Sequence, residues 1–161
     1  VPQQKGKFSA DILDLLINIP LFDSLVADEL AVVVKSMNVV DAPKGETVFK
    51  EGERGDFVCF VADGILEVWK RSETGEPVVL STLSKGRSMG EMSILDNFPR
   101  SATVRARTKA TLVTLSRANF DDILEKNPRI GIKILKGLAR LLSLNLRKTS
   151  SRLADYMLPV T

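Results

Sequence analysis

Seven of the ten glycines in this chain fall between Gly45 and Gly90, and the segments on either side are rich in Leu, Ile and Val at helical spacing. Glycine marks places where a chain turns sharply, because it adopts positive φ without a steric penalty. The distribution therefore predicts a turn-rich β region between two helical flanks. In the first flank Ile12, Leu15, Leu16 and Ile19 share one helical face, Pro20-Leu21-Phe22 breaks the period, Asp23 or Ser24 is placed to cap a short turn, and Leu30, Val33, Val34 and Met37 form the stripe of a second helix. From Asn38 to Leu115 the pattern changes to short β-rich runs: 47–49, 57–61, 65–70, 78–83, 102–106 and 112–115. Asp63-Gly64 reads as a tight hairpin and Glu73-Thr74-Gly75-Glu76 as a longer one, so the strands should be antiparallel, in a sandwich or barrel. After Leu115, Ser116 is placed to cap a helix over 118–124, and Asn127-Pro128 opens a long helix with proline at its first position. Its apolar stripe runs Ile134, Leu135, Leu138, Leu141, Leu142, Leu146 and on to Leu153, longer than one small sheet covers. A homodimer through this seam and a stripe serving only its own domain are both compatible with that length.

Composition then removes most chemistry. A length of 161 residues with 44% apolar and 27% charged side chains suits one folded domain. With no histidine and a single cysteine, Cys59, there is no histidine base for a hydrolase, no histidine-ligated haem, no common zinc set and no intrachain disulfide. Hence no metal and no resident cofactor are expected, and no base, nucleophile and orienting partner fall in an arrangement that suggests an enzyme. No apolar run approaches the ~20 residues of a membrane span, so no membrane partner is expected and the lone cysteine suits the cytoplasm. The net charge of +3 is too small to argue for nucleic acid. The cations Lys126, Arg129, Lys133, Lys136, Arg140, Arg147, Lys148 and Arg152 read as a solvated helix face, and no nucleic-acid partner is expected within this chain.

The chemistry concentrates in Met89-Gly90-Glu91-Met92-Ser93-Ile94-Leu95-Asp96-Asn97-Phe98-Pro99-Arg100-Ser101-Ala102-Thr103-Val104. Gly90 lets backbone approach a ligand, and residues 92–95 suit a short helical turn whose free N–H groups favour an anion. Arg100, nine residues after Glu91, carries a fork that matches phosphate bidentately. Glu91 is an odd neighbour for a bare phosphate but a good acceptor for sugar hydroxyls, so the pair suggests a nucleotide.

The run Gly90-Glu91-Met92-Ser93-Ile94-Leu95 followed by Pro99-Arg100-Ser101-Ala102-Thr103 resembles the phosphate-binding cassette of cyclic nucleotide-binding domains. These occur in catabolite-activator-type regulators, protein kinase A regulatory subunits and cyclic nucleotide-gated channels. Ile19-Pro20-Leu21-Phe22, Lys44-Gly45-Glu46 through Gly55-Asp56, and Gly64-Ile65-Leu66-Glu67-Val68 resemble other parts of the family. The resemblance implies an antiparallel β-roll or jelly-roll flanked by helices, as a single domain over 1–161. Its parts are an N-terminal helical segment 9–37, a β-roll 38–115 and C-terminal helices 117–155.

It further implies that Glu91 binds the ribose 2′-OH and Arg100 the exocyclic phosphate oxygens, with backbone at Gly90, Met92, Ser93, Ser101 and Ala102 lining the cage. Val68, Leu80 and Leu83 match positions that pack around base or sugar, and Asn145 a polar lid position on the C-terminal helix. Ser101 occupies a position where cAMP-binding bacterial activators carry Ser, so cAMP is expected over cGMP. Met89 stands where many members have an aromatic, and Ser93 where many have Ala. The function implied is a cyclic nucleotide sensor acting on an unknown downstream effector. The second reading is an interaction or dimerisation module with a vestigial cassette.

Overall fold

The computed structural model describes residues 5–157, with side chains from residue 10 onward. Among the described residues eight strands occur in the order β1 (Asn38–Ala42), β2 (Thr47–Phe49), β3 (Phe57–Asp63), β4 (Leu66–Arg71), β5 (Pro77–Leu83), β6 (Ser88–Met89), β7 (Thr103–Ala106) and β8 (Ala110–Ser116). Helices α1 (Lys5–Ile17) and α2 (Ala27–Lys35) precede them, and α3 (Arg117–Lys126) and α4 (Pro128–Met157) follow. All pairings are antiparallel, in two four-stranded sheets ordered β1-β8-β3-β6 and β2-β7-β4-β5. This is a jelly-roll with helical flanks, the architecture implied by the sequence.

β3 explains how the two parts join. Phe57-Val58-Cys59-Phe60-Val61-Ala62 is a continuous apolar run because both faces of the strand are covered. With side chains alternating across a strand, Cys59 and Val61 point into the roll beside Ala42, Phe49, Leu66, Met89, Val104 and Leu112. Val58 and Phe60 point the other way, into a second core made with Leu16, Phe22, Val33, Phe120 and Ile134 from the helical segments. Its partner β8 divides likewise, Leu112 to the roll and Val113 and Leu115 to the helices. The helices are thus packed on the outer face of one sheet, and the roll keeps its own interior.

Several local expectations are corrected. Among the described residues neither Asp23 nor Ser24 makes a side-chain capping bond; Asp23 closes the turn Pro20–Phe22 with its backbone, N–H donating to Pro20 O at 3.4 Å, Leu25 is buried, and α2 starts after Val26, whose N–H donates to Glu29 Oε2 at 3.0 Å. β1 and β6 are absent from the six runs read from the sequence, since β1 buries only Ala42 and β6 is two residues long. The stripe of α4 is also redrawn. Ile130, Ile134 and Leu138 are buried, but Leu135 and Leu146 face outward, and every residue from Ser143 to Met157 is exposed. The near half of α4 packs on α3 and on the turn Pro20–Phe22, where a Cβ at Gly137 would collide with the Leu21 carbonyl. Lys133 Nζ reaches Glu29 Oε2 at 2.7 Å and Lys126 pairs with Asp122, so two of the helix-region cations are engaged in ion pairs.

Candidate functional site

β6 ends at Met89, and Gly90, at φ 73°, turns the chain into a single 3-10 turn over Glu91–Ile94. The turn closes with Ser93 N donating to Gly90 O at 3.1 Å and Leu95 N to Met92 O at 2.9 Å. It is anchored from below, because Ser93 is buried and Ile94 joins the core shared with the helices. Met92 and Leu95 stay exposed. Phe98 N then donates to Asp96 Oδ1, and Pro99 pairs with Arg54 in an isolated antiparallel bridge. Arg100 is fixed by backbone on both sides: its N–H donates to Glu53 O at 2.7 Å, and its carbonyl accepts from Gly52 N at 2.8 Å.

The side chain of Arg100 turns inward and is 4% exposed. Nη1 donates to Ser93 Oγ at 2.9 Å and Nη2 to the Phe57 carbonyl at 3.0 Å. The guanidinium carbon lies 4.0 Å from the ring centre of Phe49 and 4.5 Å from that of Phe57, within cation–π range. Gly55 and Gly90 form the remaining walls, and a Cβ on either would overlap the guanidinium. Both glycines therefore leave the room that the guanidinium takes in this position. Nε is buried with no acceptor, and among the described residues Arg100 forms no ion pair. Burial pulls its pKa down, opposed by the nearby Cys59, Asp56 and Glu53.

Glu91 has the converse problem. Burial raises its pKa, with only its own backbone N–H pulling the other way, and among the described residues no cation pairs with it. A buried cation without an anion and a carboxylate without a cation stand in one cassette and do not neutralise each other. Each is complementary to something a ligand would bring: phosphate oxygens for Arg100, hydroxyl donors for Glu91.

The other residues singled out from the sequence are distributed unequally. Ser93 is brought to Arg100 through its hydroxyl, and Gly90 through its missing side chain. Ser101 is exposed, its carbonyl accepting from Lys70 Nζ at 2.9 Å, and Ala102 is half-buried. Val68 and Leu83 pack against the roll interior, whereas Leu80 is 53% exposed and is no part of the core that any sandwich would bury. Asn145 lies on the exposed half of α4.

Sequence reading missed Phe49, Phe57, Gly55, Lys70 and Arg117, which touch cassette groups. Phe49 and Phe57 looked like ordinary strand residues, and only the fold places their rings on the arginine. Cavities of about 120 Å³ beside Cys59 and Phe57 and of about 800 Å³ beside Asp14 and Arg87 are lined by none of Glu91, Ser93 or Arg100. Among the described residues no group of His, Cys, Asp and Glu is placed to hold a metal ion.

The family model for the cyclic nucleotide-binding domain matches residues 39–127. Over 144 residues the chain is 30% identical to the CRP-like cAMP-activated global transcriptional regulator of Mycobacterium tuberculosis, an alignment covering 89% of this chain and 62% of that protein. Over 122 residues it is 37% identical to the cAMP-dependent protein kinase regulatory subunit of Mycosarcoma maydis, covering 73% of this chain and 23% of that one. It spans less than two thirds of the length of either relative. A crystal structure of a cyclic nucleotide-binding domain from Methylobacillus flagellatus KT matches with a TM-score of 0.84 at 27% identity, covering 95% of this chain and 86% of that chain.

Proposed function

The chain belongs to the cyclic nucleotide-binding domain family, and on that premise we propose that it binds a cyclic nucleotide, cAMP in preference to cGMP, in the cassette from Gly90 to Ala102. The observation that carries this reading is the Arg100 guanidinium, almost wholly buried, without an ion-pair partner, and with a buried Nε–H that lacks an acceptor. A cyclic phosphate supplies the missing anion there. Glu91 accepts from the ribose 2′-OH, the backbone of Gly90, Met92, Ser93, Ser101 and Ala102 lines the cage, and Val68, Leu80 and Leu83 meet the sugar or base. The exposure of Leu80 suits a residue that a ligand covers. Asn145 reaches the base when the far half of α4 folds over it. The preference for cAMP is supported by Ser101 and by the cAMP named in both curated relatives.

On this reading the chain is one regulatory module over 1–161, a sensor and not an enzyme, working in the cytoplasm. Both curated relatives are described as regulators. No helix among the described residues is long and apolar enough to cross a membrane. The ligand stabilises whichever state lets α4 contact it, by the difference in contacts between the two states. Leu144, Leu146, Leu153, Tyr156 and Met157 stand exposed on α4 and support a homodimer through its far half. Titration calorimetry with cAMP and cGMP side by side tests the ligand. Binding at micromolar or tighter affinity, lost in Arg100→Ala, is expected; no heat from folded, nucleotide-free protein would leave only the dimerisation module, whose measure is the sedimentation mass.

A further inference from the structure

Two arginines meet the same two residues, Gly55 and Ser93, through different groups. Toward Arg100, Gly55 presents a missing side chain and Ser93 a hydroxyl. Their carbonyls turn the other way, to Arg117, the first residue of α3: Nε donates to Ser93 O at 3.0 Å and Nη2 to Gly55 O at 3.4 Å. Nη2 also donates to Asp96 O, and Nη1 to Asn97 Oδ1. The backbone N–H of Arg117 donates to Asp56 O at 2.6 Å. Among the described residues Arg117 makes no ion pair, so its charge faces carbonyl and amide oxygens only.

This has a physical basis. The carbonyls at the end of a helical turn have no further turn to donate to them, and they form its negative end. A five-donor guanidinium satisfies several at once, where an ammonium would reach one or two. The group that does so here belongs to another element. Ser116 caps α3 by accepting from Asn119 N, Asn119 Nδ2 donates to Ser36 O at 2.8 Å, and α3 packs on α4.

We propose that Arg117 is a positioning residue that makes the cassette turn and the α3–α4 pair one mechanical unit, so that a shift of Ser93 and Asp96 at the ligand site is delivered to α3. The route runs from Arg100 through Ser93 and Gly55 to Arg117 and the helices. Its ligand-dependent half rests on the proposed binding of a cyclic nucleotide; its ligand-free half does not.

Hydrogen exchange on the 161-residue chain tests it, comparing wild type, Arg117→Met and Arg117→Lys with and without saturating cAMP. Without nucleotide, Arg117→Met speeds exchange by about ten-fold or more in both 91–97 and 117–126 and leaves 58–63 within about two-fold. Arg117→Lys, which keeps the cation, recovers part of that protection, and it carries the same comparison at smaller amplitude should Arg117→Met fail to fold. With cAMP, wild type slows exchange in 91–97 and 117–142 together. In Arg117→Met the slowing stops at the cassette, and affinity falls by less than about ten-fold. Faster exchange confined to 117–126, or cAMP protection reaching 117–142 undiminished in the variant, overturns the role. Absence of cAMP protection at 91–97 in wild type refutes the cyclic nucleotide reading instead, and the ligand-free comparison then decides the role of Arg117 alone.

Discussion

The cassette and the far half of α4 are both incomplete, in opposite ways. The cassette is pinned by backbone hydrogen bonds on both sides of Arg100 and holds one buried cation and one carboxylate that no opposite charge among the described residues pairs. The far half of α4 is continuous helix with apolar and basic side chains all exposed from Ser143 onward. An unpaired buried charge costs several kcal/mol, roughly, and persists only where something offsets it, whereas scattered exposed leucines cost little. The first region therefore carries the proposal of a ligand of stated chemistry; the second says only that some cover would be favourable.

The sharpest way to break the contrast is at Arg100. Arg100→Ala should weaken cAMP binding by about 30- to 5,000-fold, the loss of a buried phosphate partner worth roughly 2–5 kcal/mol. Arg100→Met, close in volume and uncharged, should lose binding as fully yet raise the thermal midpoint of the nucleotide-free protein, because it removes the buried charge. A lowered midpoint would mean that Phe49, Phe57 and Ser93 already compensate the cation in full.

The second comparison lies within α4. Leu138, 1% exposed, should cost about 2–5 kcal/mol on truncation to Ala, and Leu146, 68% exposed, no more than about 0.5 kcal/mol by urea denaturation. A concentration-dependent penalty for Leu146→Ala would show the far half covered by a second copy in solution.

A smaller effect follows from Glu91. Its folded pKa lies above the unfolded one, so between the two the native chain holds a proton that the unfolded chain has released. Stability therefore falls as pH rises through that window, and Glu91→Gln flattens the slope. Affinity for cAMP moves the other way, rising with pH as the carboxylate becomes available to a hydroxyl. A pH-independent midpoint in wild type would place Glu91 in water. Least visible is Cys59, whose thiol burial pushes up to about 12. It should react with a thiol reagent only at the rate of unfolding, and prompt labelling would show an open roll.

Much of this was legible because the signals are local. Glycines at turns, β-branched runs and a 3.6-residue stripe gave the helix, sheet, helix order, and Gly90, Glu91 and Arg100 stood out through chemistry that each residue carries alone. Where expectations failed, a distant partner decided. The turn after Phe22 is closed by backbone and not by the side chain of Asp23 or Ser24, β1 pairs with β8 while burying only Ala42, and Leu80 is left uncovered although it reads as apolar strand.

The amino-acid sequence was enough for the helix, sheet, helix order and for the chemistry that singles out Glu91 and Arg100, since backbone propensity and side-chain chemistry are properties of short segments; the family was legible through the resemblance of residues 90–103 to a known motif. Which groups surround the arginine was settled only by packing. Phe49, Gly55, Phe57 and Ser93 are spread over 45 positions of the chain, and no short-range pattern brings them together. They meet because β2, Gly55, the start of β3 and the cassette turn converge on Arg100, and in a close-packed interior the neighbours of a side chain are fixed by the arrangement of every element around it.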